Sequence, residues 1–537
     1  MQAKLLNLFS IFYHIPAQSP FNGGESPALE VLSFSRNLLH PYASLFPIIF
    51  LSVIIILLWC TSSIWEVSVN RVKLILATLY TCLLTFYTFS TNFISNYSIF
   101  GTVIAANEYV WFGNVTLIVF AFLVIWLRGM TLTLLLYSGG MLIFALILLG
   151  SVDIITFYIS FEALSLLTYG VVATNKTLGS SEGALKYFIY GVISSVLLIF
   201  GLSLCYITFQ STDWYEVYMY EDFASLGLSS EPFVSISIIL VTLAFSYKLS
   251  MFPFHFSLPD VYEGSYWETI AIINLVVKLA ISLSLFRVWG FLISQISLTV
   301  HTSVFLLILS IISLIIGCFG ALVQTSLKRL FAYTSINQAG FILLGLLTNS
   351  VVGLEASLLY LITYMLTMFV FFTGVSSSSE SINNFVELRN ISTISKILVA
   401  TSLFSMSGIP PFFGFIAKYS IWLSLIDGIS CSINNTYSIL LIVAFLTSIL
   451  VSLIGAYYYL RLIKIYVFGE GFAETWQISS FKSMAAILSI IIVIILGVGW
   501  AGVAEEIYSI FKLWAIDNYG SWINYIHTGW YAEWLRS

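Results

Sequence analysis

Charge is what this sequence most lacks. Of its 537 residues only 8% are Asp, Glu, Lys or Arg, against about a quarter in soluble domains. So few ionisable groups cannot cover a water-facing surface, and the 59% hydrophobic content points to a polytopic membrane protein. A net charge of −5 leaves no basic face to neutralise phosphates, which excludes nucleic acid as a partner. Cysteine is equally sparse. Cys60, Cys82, Cys205, Cys318 and Cys431 are far apart and none forms a CxxC pair, so they are expected to be inert buried thiols. The five histidines are dispersed. There is no GxGxxG fingerprint after a strand and no P-loop, so the sequence implies no nucleotide, flavin, iron–sulfur or other cofactor. The opening "MQAKLLNLFSIFYHIPAQSP" has neither transit-peptide nor signal-peptide character, and the expectation is insertion through the chain's own helices.

What is present is a succession of apolar runs. Runs of about 17–25 residues are expected to cross a bilayer as helices. The sequence predicts an all-α polytopic membrane protein with about 14 transmembrane helices, at 46–62, 72–92, 110–128, 131–150, 153–174, 186–208, 233–255, 267–288, 301–323, 331–348, 354–376, 395–424, 437–465 and 481–503. The run 395–424 is too long for one straight span and contains Pro410 and Pro411, so a broken helix is expected there. Loops after odd-numbered spans hold Arg71, Lys73, Arg128, Lys176, Lys328, Arg329, Arg389, Lys396, Lys464 and Lys482, while the loop between spans six and seven is acidic. The positive-inside rule then puts both termini on the side opposite the basic loops, with Arg287 as an exception. The Trp- and Tyr-rich tail 504–537 suits a surface-lying helix.

Ionisable groups at bilayer depth cost about 3 kcal/mol each, so those that remain there carry information. They are Glu162, Lys186, Lys248, Lys278 and Lys418. Tyr158, Glu162, Ser165 and Tyr169 recur at helical spacing and form one polar face; Asn274, Lys278 and Ser282 form a second. Lys248 precedes Pro253 by five residues, and Lys418 follows Pro410 and Pro411. Broken helices at membrane depth are tolerated where they line a cavity, and they mark ion sites in transporters. For each residue alone the plainer account is snorkelling or a structural ion pair, and for Lys186, near a helix end, the two accounts weigh equally. Five such groups on five helices, two beside proline breaks, together suit a proton relay. Such a relay needs an external energy source, which this chain does not contain. The two breaks lie five spans apart, an odd interval, so spans 4–8 and 9–13 are expected to be two inverted five-helix repeats with helices 7 and 12 broken.

Six stretches add a resemblance. "SFEALSLLTYG", "EGALKYFIYGVISSVLLIFG", "YKLSMFPFHFSLPDVYEGS", "SLKRLFAYTSINQAGF", "SGIPPFFGFIAK" and "YYYLRLIKIY" resemble, in order over about residues 131–466, the chain 2 family of NADH–ubiquinone oxidoreductase, respiratory complex I. "PDVYEG" at 259–264 is the most specific of them. The resemblance implies an antiporter-like subunit that translocates protons while electrons pass from NADH to ubiquinone elsewhere in the complex. It implies a relay of Glu162, Lys186, Lys248, His255, Lys278 and Lys418, with helix breaks at Pro253, Pro410 and Pro411 and no metal. The partners it implies are other membrane-arm subunits (chains 4, 4L and similar, and accessory subunits) and phospholipids, cardiolipin among them. The place it implies is the mitochondrial inner membrane, with both termini on the intermembrane-space side. The chain is then divided into an N-terminal extension (1–45), three first spans (46–130), two repeats (131–290 and 300–466), a loop with the last span (467–503) and an interfacial tail (504–537).

The sequence also departs from that family. Where a Pro-containing small-residue run usually follows Tyr-Glu-Gly, this chain has "SYWET" with Trp267 and Glu268, and Gln338 stands where a His is common. Two competing functions share the pattern: a subunit of a multi-chain cation/proton antiporter, and a membrane-arm scaffold whose charges only hold helices together.

Overall fold

The computed structural model describes residues 52–53, 69–89, 97–99, 104–106, 108–127, 130–214, 231–296, 300–348, 350–376, 393–410, 412–431 and 435–467. The expected spans at 46–62 (apart from 52–53) and 481–503, and the segments 1–45 and 504–537, lie outside the described residues. Between them the order of elements is α1 (Val69–Phe89), β1 (Tyr97–Ile99), β2 (Ile104–Ala106), α2 (Glu108–Ile125), α3 (Leu132–Gly150), α4 (Ile154–Ala173), α5 (Leu178–Phe209) and α6 (Glu231–Lys248). There follow α7 (Ser257–Gly264), α8 (Trp267–Ile272), a π-helical turn (Ile273–Lys278), α9 (Leu279–Ile296), α10 (Val300–Val323), α11 (Leu327–Leu346), α12 (Val351–Ser376), α13 (Thr393–Ser407), α14 (Phe413–Cys431) and α15 (Asn435–Val467). Helices dominate because a bilayer offers the backbone no water to bond, so each segment must satisfy its own N–H and C=O groups. The all-α expectation misses one feature, an antiparallel hairpin that pairs Tyr97 with Ala106 and Ile99 with Ile104.

The helix breaks are where sequence and structure differ most usefully. The sequence places the first break at Pro253; α6 ends at Lys248 and α7 starts at Ser257, with Pro253 in the gap between them. Proline has no N–H to offer the carbonyl of Leu249, its ring would collide with that carbonyl, and it bars Phe252 from helical angles. The helix must therefore stop before the proline rather than at it. Ser250 takes a positive φ of 59° and the Phe252–Pro253 bond is cis. The second break has the same form. α13 ends at Ser407, Gly408 takes φ 78° and α14 starts at Phe413, with Pro410 in the gap; Pro411 is outside the described residues. The π-helical turn that ends at Lys278 is a third irregularity, which the four-residue spacing of Asn274, Lys278 and Ser282 did not foretell. Wide turns of this kind recur at functional positions.

The two ends of the bundle differ in charge. At one end Lys73 donates to the carbonyl of Leu127, Lys186 pairs with Asp260, and Arg329 pairs with Glu263. At the other, Asp153 and Asp213 face each other in an isolated bridge. Arg287, the exception to the sign rule, is buried at this second end and donates to the carbonyl of Leu149 in the last turn of α3. A helix C-terminus carries a partial negative charge that suits such a cation.

Packing arranges the helices as hub and rim. Residues 269–289 are all buried, so the span that carries Lys278 is surrounded by protein. The rim includes α5 and α15, of 32 and 33 residues. Leu185, Ile189, Val196 and Ile207 are exposed on the first, and Ile439, Leu446, Leu450 and Leu453 on the second. In a membrane such faces suit acyl chains or neighbouring subunits.

Candidate functional site

Three lysines lie deep in the bundle. Lys248, Lys278 and Lys418 are 4%, 5% and 5% exposed. Among the described residues none of them has an ion-pair partner, in contrast to Lys186 and Arg329 at the basic end. Each is instead held by dipoles and rings, which stabilise an ammonium without fixing a counter-charge beside it.

Lys248 closes α6. Its Nζ donates to the hydroxyl of Tyr169 at 3.1 Å. The rings of Tyr169, Phe161 and Tyr247 surround it, with centroids at 5.1, 5.5 and 5.5 Å. Phe161 and Tyr169 both come from α4, eight residues apart on one face. The same face carries Glu162, as the spacing predicts. Ser165 donates to Glu162 Oε2 at 3.2 Å, while Oε1 is buried with no hydrogen-bond partner among the described residues. Among the described residues no hydrogen bond or ion pair joins Glu162 to Lys248.

Lys278 ends the π-helical turn and joins two parts of the chain. It donates to Ser250 Oγ at 3.2 Å and to Ser335 Oγ at 3.1 Å. Ser250 lies in the first break, two residues beyond Lys248; Ser335 lies on α11. The ring of Tyr262 sits 5.5 Å away, and its hydroxyl donates to Asn274 Oδ1 at 2.7 Å. Ser282, the last member of the expected polar stripe, turns to its own helix and bonds the carbonyl of Leu279.

Lys418 reaches back across the second break. It donates to the carbonyls of Met406 and Ser407, both at 3.0 Å. These belong to the last turn of α13, whose C-terminal carbonyls have no helical partner and favour a cation. The ring of Phe341 lies 5.9 Å from the ammonium. Ser335, Gln338 and Phe341 are spaced by three along α11, so this helix presents one face that meets Lys278 at one point and Lys418 at another. Between them, Gln338 accepts a hydrogen bond from the Tyr360 hydroxyl.

The remaining sequence candidates separate from this row. Lys186 is 40% exposed at its side chain and bonds Glu182 at 2.8 Å and Asp260 at 2.7 Å. It ties α5 to α7 at the basic end and does not meet the buried lysines. Arg329 completes the clamp, at 2.6 Å from Glu263 and 3.7 Å from Asp260. The acids of "PDVYEG" therefore serve a structural joint between α5, α7 and α11. His255 is buried between the rings of Phe252 and Phe256, and no hydrogen bond joins it to any of the three lysines. Sequence reasoning missed Tyr169 as a direct partner of Lys248, and missed Ser250 and Ser335 altogether. Hydroxyls are too common in membrane helices to stand out by type. It also counted one acid within the spans, whereas Glu355 in α12 has its Oε1 buried without a hydrogen-bond partner.

The comparisons with known proteins agree with one another. The sequence profile of the family described as NADH:quinone oxidoreductase/Mrp antiporter, TM, matches residues 151–447. The NADH-quinone oxidoreductase subunit N of Laribacter hongkongensis is 32% identical over 352 residues, which cover 64% of this chain and 68% of the relative. That of Orientia tsutsugamushi is 32% identical over 366 residues, covering 65% and 72%. Among solved structures, a chain of respiratory complex I from Thermus thermophilus with bound Aureothin superposes with a TM-score of 0.70 at 22% identity, over 86% of this chain and 98% of that one. A chain of the Mrp complex from Dietzia sp. gives 0.73 at 14% identity, over 90% and 98%. At these identities the structural likeness shows the fold.

Proposed function

Because the chain belongs to the NADH:quinone oxidoreductase/Mrp antiporter family of membrane subunits, we propose that it is a subunit-N-type component of the membrane arm of a respiratory NADH:quinone oxidoreductase. In that role it moves protons across the membrane while other subunits pass electrons from NADH to quinone. Within the family, the names of the relatives favour this role over that of an antiporter subunit.

The observation that carries the reading is the row of three buried lysines, each at or beside a helix irregularity and none in an ion pair with another described residue. A proton that arrives at or leaves such an amine changes the local charge by one without breaking a salt bridge. Lys248 and Lys278 are linked through the first break, since Ser250 follows one and bonds the other. Lys278 and Lys418 both meet α11, the first at the Ser335 hydroxyl and the second over the ring of Phe341. Glu162 lies on the same face of α4 as Phe161 and Tyr169, which enclose Lys248. Coupled groups of this kind load and release protons as a set. Lys186 and His255 take supporting places, the first in the basic-end joint and the second in the turn between α6 and α7.

The division into two inverted repeats, 131–290 and 300–466, is part of the same proposal. It rests on the two broken helices and their paired lysines, Lys248 and Lys418. The proposed partners are the other membrane-arm subunits, with phospholipid, including cardiolipin, along the apolar rim. A mitochondrial inner-membrane location with both termini on the intermembrane-space side is supported by the Phe-, Ile- and Tyr-heavy composition and the sign of the loops.

Substitution Lys248→Met tests the reading in the assembled complex. A proton-translocating subunit should assemble and lose proton translocation, with electron transfer reduced to the extent that it is coupled. Loss of assembly alone would favour the scaffold.

A further inference from the structure

Beyond Lys186, the stretch "EGALKYFIYGVISSVLLIFG" turns from the basic end into the bundle. The buried face of α5 there runs through Tyr187, Gly191 and Ser194. A glycine inside a helix costs stability relative to alanine and has no side chain to pack, so Gly191 needs a reason. The reason stands on α4. A Cβ added at Gly191 would overlap the hydroxyl of Tyr169 and come within 2.6 Å of its Cζ and 3.2 Å of its Cε1. The same hydroxyl accepts the hydrogen bond of Lys248 at 3.1 Å. It is therefore seated between bare α5 backbone on one side and the buried ammonium on the other.

The neighbours of Gly191 fix the rest of the cage. Tyr187 and Phe188 meet the Tyr169 ring edge to face, with centroids at 5.0 and 5.7 Å and interplanar angles of 88° and 89°, an arrangement that aromatic quadrupoles favour. Tyr247, the second tyrosine over Lys248, donates its hydroxyl to the carbonyl of Tyr187. In a helix that carbonyl also accepts from the N–H of Gly191, and its two lone pairs allow both bonds. One turn of α5, residues 187–191, thus sets both tyrosine walls of Lys248. A methyl group at 191 would take the volume that the Tyr169 hydroxyl fills. The phenol would have to shift, and a hydrogen bond that depends on distance and angle would lengthen or break.

We propose that Gly191 is a positioning residue for proton transfer at Lys248: its missing side chain seats the Tyr169 hydroxyl where the Lys248 ammonium can donate to it. This rests on the proton-relay reading above. Gly191 acts only through Tyr169 and handles no proton itself.

The experiment uses the assembled complex in sealed membrane vesicles and measures protons moved per NADH oxidised, with the thermal midpoint of the purified complex beside it. The variants are Gly191→Ala, Tyr169→Phe, the two combined, Gly201→Ala and Lys248→Met. Gly201 is the control. It lies about 15 Å further along α5, where an added Cβ meets Leu240 and Val241 of α6 at 3.0 Å. G191A should lower the ratio several-fold. In the Y169F background the same substitution should add nothing, because the group it displaces is gone. G201A should lower the thermal midpoint by overpacking and leave the ratio as in the wild type. A wild-type ratio in G191A, a loss in G191A that Y169F does not share, a further loss when G191A joins Y169F, or an equal loss in G201A overturns the proposal. If G191A does not assemble, the decision passes to Gly191→Ala combined with Tyr169→Leu, in which no ring opposes the methyl group. Assembly with the ratio of Tyr169→Leu alone upholds the proposal, and failure to assemble overturns it. Lys248→Met separates the two readings. An intact ratio in K248M overturns the relay itself, whereas its loss in K248M beside a wild-type ratio in G191A overturns only the role of Gly191.

Discussion

The side chain of Lys418 lies directly over the backbone of Gly408. A Cβ added at Gly408 would come within 2.9 Å of Lys418 Cδ and 3.1 Å of its Nζ. The glycine also sits at φ 78°, a conformation that costs other residues about 1–2 kcal/mol. Substitution Gly408→Ala should therefore strain the break and push the ammonium off the carbonyls of Met406 and Ser407. The expected result is a lower thermal midpoint of the purified complex and a several-fold loss of proton translocation. A G408A complex with both unchanged would show that the contact has no consequence.

Ser250 gives a prediction with two opposite signs. Its backbone is strained at φ 59° and its hydroxyl holds Lys278. Glycine at this position relieves about 1–2 kcal/mol of backbone strain and removes the hydroxyl. Ser250→Gly should raise the thermal midpoint and slow translocation. A fall in both quantities would show that the serine matters for packing rather than for the lysine.

Tyr169→Phe keeps the ring beside Lys248 and deletes only the hydroxyl that accepts its proton. Assembly should be normal and translocation reduced several-fold. The further variant Tyr169→Leu, which removes the ring as well, should be more severe. Equal loss in both would assign the whole effect to the hydroxyl.

Asp260 holds both Lys186 and Arg329 at the basic end, with all three side chains partly exposed. Exposed pairs contribute below about 1 kcal/mol each and are screened by salt. Asp260→Asn should lower the thermal midpoint of the purified complex slightly at low ionic strength and not at high ionic strength. A salt-independent effect would point to the local backbone instead.

Asp153, in the connection between α3 and α4, yields a prediction about pH. Burial pushes its carboxyl above the ordinary value of 3.8, and the charge of Asp213 adds to the effect. A raised folded-state value means that the protonated form stabilises the fold. That stabilisation is present below 3.8 and is lost as pH rises through the folded-state value. At neutral pH the carboxylate is therefore a burden, and Asp153→Asn should raise the thermal midpoint there. The gain should disappear in acid, which thermal scans at a series of pH values would reveal.

The apolar runs made most of the helices legible, because a bilayer leaves the backbone no other choice. The buried lysines were legible for the related reason that an unsupported charge in lipid is too costly to be incidental. What could not be read was how each lysine is held. Tyr169, Ser250 and Ser335 are ordinary residues for a membrane helix, and their importance arises only when three separate segments converge. The last helical residue before the first break was not legible, because a proline acts on the turn before it: α6 ends at Lys248, and Pro253 lies within the gap that follows. The π-helical turn leaves no mark in composition at all. Lys186 looked like a member of the row from its place near the start of α5; of its two acidic partners, Glu182 is four residues away and open to a local pattern, whereas Asp260 lies 74 positions further along the chain.

The hub-and-rim packing has a consequence for how the surrounding membrane can act. At 1.5 Å per residue, α5 and α15 extend for about 48–50 Å, against a hydrocarbon layer of about 30 Å. They must lean or project, so a thicker or thinner bilayer will press on them first. The helix with Lys278 never touches an acyl chain over residues 269–289. Changes in lipid length should thus be felt in how the subunit sits among its neighbours, while the chemistry at its centre stays insulated from the membrane it crosses.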